Sequence, residues 1–484
     1  MKTSRAAAGL AAEAPGPGVG LLVGLAALGA VIAPLNSTMI AVALPDIRTA
    51  FNLSHAAAGW LISSYLIAMA VVQPLGGRIG DQAGRKRVLG WGLIGCLVCS
   101  VGAMAAADFT MLVAFRTAQA VFAAILIPNG IALLRTAAPP EQLGRLNGIN
   151  GAVLSTAAAA GPLLGAGALA LGSWRFIFVL NIPLVIVTLI LLARLELSEI
   201  RIPSGWRIDW VGTLLFVALL CGVTFQLSTA RDDGFGVRSV AGWAATGAIS
   251  ALFVWRQHSS TRPAAEWHLF RVRAFSGATS WILLTNLSMY TTLLMIPYFI
   301  DDVQGKSTEL SGLLLGAMSI LVALVSPLGG RLSDALGRRP LMLAGAAVAL
   351  VGAAALFAAL RVGTPAWLLA TCLAVFGVGL GLGTGPAVSA ALEAAPLGSA
   401  GAASGTSSMM RYTGSIIGAG LLAGVLTSTS GASGDLTTFR VVTTVIVATA
   451  GLACIAAIFA HRFVEPEREN IVEPSAEPFA VARQ

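Results

Sequence analysis

The residues able to do chemistry in this 484-residue chain are few, and most stand inside apolar runs. Arg116 lies in FTMLVAFRTAQAVFAA with Gln119 three residues on, so the two share a face if the run is helical. A charge within such a run is costly unless it faces protein or water, which makes Arg116 a functional candidate, with snorkelling to the nearby end of the run as the plain alternative. Arg411, in MMRYTGSIIGAGL, poses the same choice nearer the other end of its run. The acids sit at run ends: Asp46, Asp301 and Asp302 on one side, Glu393, Asp81 and Asp334 on the other. A cavity for apolar or cationic ligands needs aromatic and small polar groups. Asn36, Met39, Tyr65, Gln119, Asn150, Asn286, Tyr290, Arg411 and Tyr412 are the candidates for its lining, each weighed against ordinary packing. Cys96, Cys99, Cys221, Cys372 and Cys454 read as small buried hydrophobes. The four His lack metal-ligand spacing, and no phosphate-binding GxxxxGK[ST] loop occurs, so no metal, cofactor or direct nucleotide drive is expected.

The elements that must hold these residues follow from composition. The chain is 56% hydrophobic and 11% charged, whereas soluble domains carry roughly 25% charged residues. Its apolar runs reach the roughly 20 residues that cross a hydrocarbon core, and they recur about fourteen times along the whole length. The expected fold class is an all-α polytopic membrane protein with the lipid bilayer as its first partner. With an even number of spans both termini share one side, and placing them in the cytoplasm puts most of the Lys and Arg inside. The net charge of +8 is then topological and implies no nucleic-acid partner. The terminal segments 1–19 and 462–484 read as cytoplasmic tails.

A charged loop occurs twice. PLGGRIGDQAGR from Pro74 to Arg85 returns as PLGGRLSDALGR from Pro327 to Arg338, so that Gly76, Gly77, Arg78, Asp81, Gly84 and Arg85 match Gly329, Gly330, Arg331, Asp334, Gly337 and Arg338. Two copies at one offset mark an internal repeat, as in transporters whose halves are related by an axis through the membrane. Paired glycines allow close helix approach, Gly84 and Gly337 permit left-handed turns, and Asp81 and Asp334 stand ready to pair with Arg or cap a helix. The repeat divides the chain into two halves, 20–194 and 276–461, with a linker at 195–275 that itself holds two apolar runs. Pro162, between Gly161 and Gly165, kinks its span. A packing helix and a gating element account for that segment equally well.

These segments resemble the major facilitator superfamily, and within it the fourteen-span drug:proton antiporter branch. GGRIGDQAGRKR is similar to the signature loop between spans two and three. LNSTMIAVALPDI, Arg116 with Gln119, AAAAGPLLGAGAL, SWRFIFVLNIP, IDWVGTLLF and RYTGSIIGAGL resemble further motifs of the branch across nearly the whole chain. The resemblance implies two six-helix bundles plus two additional helices, working as a monomer by alternating access in a bacterial inner membrane. It implies export of a small-molecule substrate, a drug or secreted metabolite, against entering protons, and no enzyme activity. It assigns Arg116 a part in proton transfer. Where the branch commonly carries an aspartate in span one, this chain has Asn36, which does not titrate. Asp46 is the remaining proton-carrier candidate, expected to share an outer cavity with Arg116; a helix cap or an interfacial ion pair is the alternative role. Uptake or facilitated diffusion stands as the competing transport reading, and a membrane enzyme or sensor on a transporter-like scaffold as the reading from another class, for which the spans offer no close group of His, Cys and carboxylates.

Overall fold

The computed structural model describes residues 17–137, 143–195, 209–229, 236–260, 267–395, 400–427 and 436–460. Helices in chain order are α1 Pro17–Ala50, α2 His55–Ala83, α3 Arg85–Met104, α4 Phe109–Ala124, α5 Leu126–Ala137, α6 Leu143–Ala170, α7 Phe176–Arg194, α8 Trp210–Thr229 and α9 Val237–Ser259. They continue as α10 Arg273–Tyr298, α11 Thr308–Leu336, α12 Arg338–Ala359, α13 Ala366–Glu393, α14 Ala400–Thr427 and α15 Leu436–Phe459. A bilayer forces this economy, because backbone groups in hydrocarbon must be paired within the segment itself. Thirteen described stretches are long and apolar enough to span, and the 28-residue α6 supplies the fourteenth.

Two spans differ in outline from their hydropathy. The fourth is broken into α4 and α5 at Ile125. Pro128 is the cause: it has no N–H to donate, and its ring crowds the carbonyl four residues back, that of Ala124. The first span runs on to Ala50, well past its apolar run, because helical hydrogen bonds continue where the side chains turn polar. Ser54 and Asp108 begin α2 and α4 by accepting from the N–H groups of Ala57 at 3.1 Å and Met111 at 2.8 Å.

Within the first bundle α1 packs on α6, α2 and α3 on α4, and α3 on α7; in the second α10 packs on α14 and α15, and α12 and α11 on α13. The bundles meet along two seams, α6 against α11 and α2 against α14. The α8–α9 hairpin lies outside both, with α8 against α14 and α2. It is fastened by Arg256 on Asp209 at 2.9 Å, by stacked Phe216 and Phe253 with ring centres 5.4 Å apart, and by Gln226 Nε2 donating to the Ser239 carbonyl at 3.2 Å. Trp91, Ile94, Val98 and Val101 form an exposed apolar stripe on α3, the expected surface of a helix bathed in lipid.

The repeated loops join α2 to α3 and α11 to α12. Gly84 at φ 95° and Gly337 at φ 92° make the turns, in a region disfavoured for residues with a Cβ. Arg85 binds Asp81 at 2.7 Å, and Arg338 binds both Asp334 and Glu393, the latter at 2.7 Å. Gly76 and Gly329 bring α2 and α11 against the backbones at Ile125 and Leu382, so the glycines of the two copies serve the same close packing. The end of the molecule carrying these loops is called the basic end below.

Candidate functional site

α1 and α10 cross at the centre, where the two halves touch. Tyr290 Oη donates to Ser37 Oγ at 2.9 Å, and Arg48 lies 3.9 Å from Asp301. Each pair is separated by 253 residues, the same offset that relates the two loops, so these contacts join equivalent positions and mark the approximate twofold axis between the halves.

Beside that axis, inside the first bundle, Arg116 is fully buried. Its Nη1 donates to Gln119 Oε1 at 2.7 Å and to Asn36 Oδ1 at 3.3 Å, and Nη2 donates to the Asn36 carbonyl. The guanidinium also covers the Tyr65 ring at 4.2 Å, a cation–π contact. Tyr65 is itself fixed by donating to the Ala33 carbonyl at 3.0 Å. Asn181 Nδ2 donates to Asn36 Oδ1 at 2.7 Å, while Gln119 Nε2 donates to Ser100 Oγ at 2.8 Å. The network is therefore neutral apart from the arginine: a buried cation held by amides, a carbonyl and a ring, with no carboxylate beside it among the described residues.

Sequence reasoning singled out Asn36, Tyr65, Arg116 and Gln119, and the structure brings all four together. It passed over Asn181 and Ser100, although an asparagine inside the apolar segment FIFVLNIP carries the same polar-in-apolar signal that marked Arg116. Met39 belongs to packing: its backbone carbonyl faces Gly165 of α6, while Thr38 faces Gly161. Pro162, Leu163 and Ala166 of the same segment meet Gly312 and Gly316 of α11 across the seam. The Gly-Pro segment thus touches both halves at once. Asn286 donates to its own helix, to the Ile282 carbonyl at 2.8 Å. Asn150 lies outside the described side chains.

Asp46 does not share a cavity with Arg116. It stands ten residues beyond Asn36 on α1, about 15 Å along the axis at 1.5 Å per residue. There it accepts from Thr308 and lies among Asp301 and Glu309. Asp302 binds Arg48 at 3.2 Å, Arg48 contacts His55 Nε2 at 3.1 Å and covers the Tyr298 ring at 5.7 Å, and His55 packs edge-on to Tyr298. These groups come from both halves and tie them together at the end opposite the basic loops.

Exposure is graded along the two central helices. On α1 every residue from Leu35 to Pro45 is buried, whereas Leu21, Gly24, Leu28, Val31 and Pro34 form a partly exposed stripe toward the basic end. On α10 every residue from Thr291 to Ile300 is buried, and Ser276, Ser280, Leu283 and Asn286 repeat the stripe. Along both helices the described residues form an unbroken buried run in the half away from the basic loops and a partly exposed stripe in the half toward them. Arg411 and Tyr412, both partly exposed, lie on α14 within electrostatic range of Tyr290.

Two helical bundles about an approximate twofold axis, closed at one end and flanked by a lipid-facing hairpin, define a membrane transporter rather than an enzyme. The chain belongs to the Major Facilitator Superfamily, whose family profile matches residues 26–419 and again 282–483. It is 32% identical over 395 residues to an uncharacterized MFS-type transporter, YvkA of Bacillus subtilis, covering 82% of this chain and 88% of that one. It is 30% identical over 404 residues to the multidrug resistance protein Stp of Mycobacterium tuberculosis, covering 82% and 74%. The solved structure of a D-xylose-proton symporter has the same fold, with a TM-score of 0.65 at 16% identity over 92% of this chain and 98% of that one.

Proposed function

We propose that the protein exports small amphiphilic compounds by alternating access, as a member of the fourteen-span drug:proton antiporter branch, with the basic end in the cytoplasm of a bacterial inner membrane. The observation that carries this reading is the graded exposure of α1 and α10, which describes a carrier open toward the basic end and latched at the other. The positive-inside rule places the basic end in the cytoplasm, so the open side is the side from which an exporter loads. The likeness to a multidrug resistance protein supports the same direction. Residues 20–194 and 276–461 act as the two rocking bodies, with 195–275 carrying the peripheral hairpin between them. Tyr290, Arg411, Tyr412 and Asn286 serve as lining, while Asn36, Tyr65 and Gln119 hold Arg116 rather than substrate.

Proton coupling runs, on this reading, through the acids at the latched end. Asp46 and Asp302 are placed to take protons from outside when Arg48 lets go, and the Arg116 network contains no group able to carry one. That network favours one competing reading, facilitated transport without protons. Expression should lower cellular accumulation of fluorescent amphiphiles, and a protonophore should restore it. Efflux that persists with the proton gradient collapsed refutes the coupling, and proteoliposomes that accumulate the probes only inward refute export.

A further inference from the structure

The interior of this carrier is positive. Among the described helices every acidic residue lies within the first or last two turns. Two arginines, by contrast, stand deep within spans: Arg116 is the eighth residue of α4 and Arg411 the twelfth of α14. Arg116 binds Asn36, the chain neighbour of the Ser37 that accepts from Tyr290 on the axis between the halves. Arg411 lies one turn before Gly414, which packs on the Leu283 carbonyl of α10, so the two charges reach the same central region. Their situations differ. Arg116 is sealed and its two terminal nitrogens are occupied by Gln119 and Asn36. Arg411 is partly exposed, and among the described residues no carboxylate or other acceptor engages its guanidinium. Gly414 and Gly418, three and seven residues on and on the same face of α14, pack on α10 at Leu283 and Leu287, which sets Arg411 toward the central helices rather than toward lipid.

A guanidinium at this depth is stabilised by water, by an acceptor, or by an opposite charge. Among the described residues neither an acceptor nor an opposite charge reaches Arg411, so water or a ligand completes it, and at Asn36, beside Arg116, stands an amide. The potential in the central space therefore selects for negative ligands and against cations, because like charge in a low-dielectric site is disfavoured. A planar guanidinium also matches a carboxylate or sulfonate with two parallel hydrogen bonds.

We propose that the transported substrate is an amphiphile bearing an anionic group, and that Arg411 is the residue that receives that group. This rests on the export reading for its direction only, since the charge preference belongs to the site itself.

The test uses the full-length protein in lipid nanodiscs and three probes that share one fluorophore: dansylglycine, an anion; dansylglycinamide, its neutral amide; and dansylethylenediamine, a cation. Fluorescence titration against empty nanodiscs gives their affinities. Dansylglycine should bind about tenfold tighter than dansylglycinamide, as expected of a charge-assisted pair, and dansylethylenediamine the most weakly. Arg411→Gln should bring the dansylglycine affinity down to that of the amide, with an unchanged melting temperature showing that the variant is folded, and Arg411→Lys should keep most of the preference. Absence of binding, equal binding of the three probes, preference for the cation, or a preference that survives Arg411→Gln each overturns the proposal. Flux in proteoliposomes separates the two readings. An Arg411-dependent anion preference without outward transport leaves the anion site standing and sinks export; outward transport of all three probes alike, indifferent to Arg411, does the reverse.

Discussion

Removing Arg48 tests whether the groups around it hold the far end of the carrier shut. Arg48 donates to Asp302 at 3.2 Å, contacts His55 at 3.1 Å and reaches Asp301 at 3.9 Å, linking α1 of one half to the segment after α10 of the other. At an effective dielectric of about 20, a unit pair at this spacing attracts by about 5 kcal/mol before desolvation. Both side chains are about a fifth exposed, 23% and 21%, so solvent screens much of that attraction. A net of about 1.5–2 kcal/mol is reasonable for charge-assisted bonds at a partly buried site. Since the contacts are lost when that end opens, Arg48→Ala should raise the open-to-closed ratio about 10- to 30-fold. The readout is Ser37→Cys in a background without the five native cysteines. Ser37 is buried beneath the latch, and its labelling by a membrane-impermeant maleimide reports opening. The labelling rate should rise by the same factor in Arg48→Ala. A rate within about twofold of the parent, a shift of only about 0.4 kcal/mol, would mean that packing along the seams, and not these charges, keeps the end closed.

Gly312→Val should act on the same equilibrium by wedging the seam, since even a Cβ there would lie 2.8 Å from the Pro162 carbonyl oxygen; faster Ser37→Cys labelling with slower transport is expected. Gly84→Ala forces a side chain into a left-handed turn at a cost of about 1–2 kcal/mol and should lower the melting temperature in detergent, whereas Gly330→Ala, with open space around it, should not. Burial pushes the Asp209 carboxyl up, but hydrogen bonds from Arg256 and the Gly212 N–H, with the Arg256 charge, outweigh it and hold the group below the ordinary carboxylate value. A lowered folded-state value gives stabilisation that is complete above the ordinary carboxylate range and lost as the pH falls through the lowered value. The protection of α8 and α9 against hydrogen exchange, relative to the intrinsic rate at each pH, should therefore fall at acid pH in the parent and show no such acid limb in Asp209→Asn. With no pH gradient imposed, outward flux of dansylglycine should increase with an inside-negative potential set by potassium and valinomycin, by up to about 50-fold in accumulation ratio per 100 mV for a monoanion.

The architecture was largely legible because its causes are local. Span number follows from run length, the two loops from a repeated string, and the turns at Gly84 and Gly337 from the one residue type that tolerates them. Pro128 was visible as well, but hydropathy averages across it, so the break at Ile125 was hidden inside a continuous apolar run. The Arg116 network was half legible. Arg116, Gln119 and Asn36 announce themselves by polarity, yet which polar residues converge depends on helix rotation, and one asparagine in α7 completes the set from 145 positions away. The outer cavity expected for Asp46 and Arg116 was not legible for a different reason: a helix turns the ten residues from Asn36 to Asp46 into about 15 Å, enough to move a side chain from the centre to the rim.

Asn36 changes what kind of carrier this fold makes. An aspartate there would give Arg116 a partner of opposite charge, so the central region would hold Arg411 as its one uncompensated cation and a group able to exchange protons. The amide preserves the geometry, accepting from Arg116 and Asn181 and donating to the Ile32 carbonyl at 2.9 Å, but removes the negative charge and the titration together. On the proposal above, Arg116 and Arg411 then stand as two fixed positive charges within the spans, and the cargo brings the compensating charge. An anion leaving the cell moves with an inside-negative potential, at about 2.3 kcal/mol per charge per 100 mV, so its export has a driving force that needs no intramembrane acid. Protons taken up at Asp46 and Asp302 would act on the latch, and so on the timing of opening, rather than on the binding site. On that proposal the amide at Asn36, which removes a titrating group from the centre, accounts together for a positive central region and an anionic substrate, while the acids of the described helices stay at the two ends.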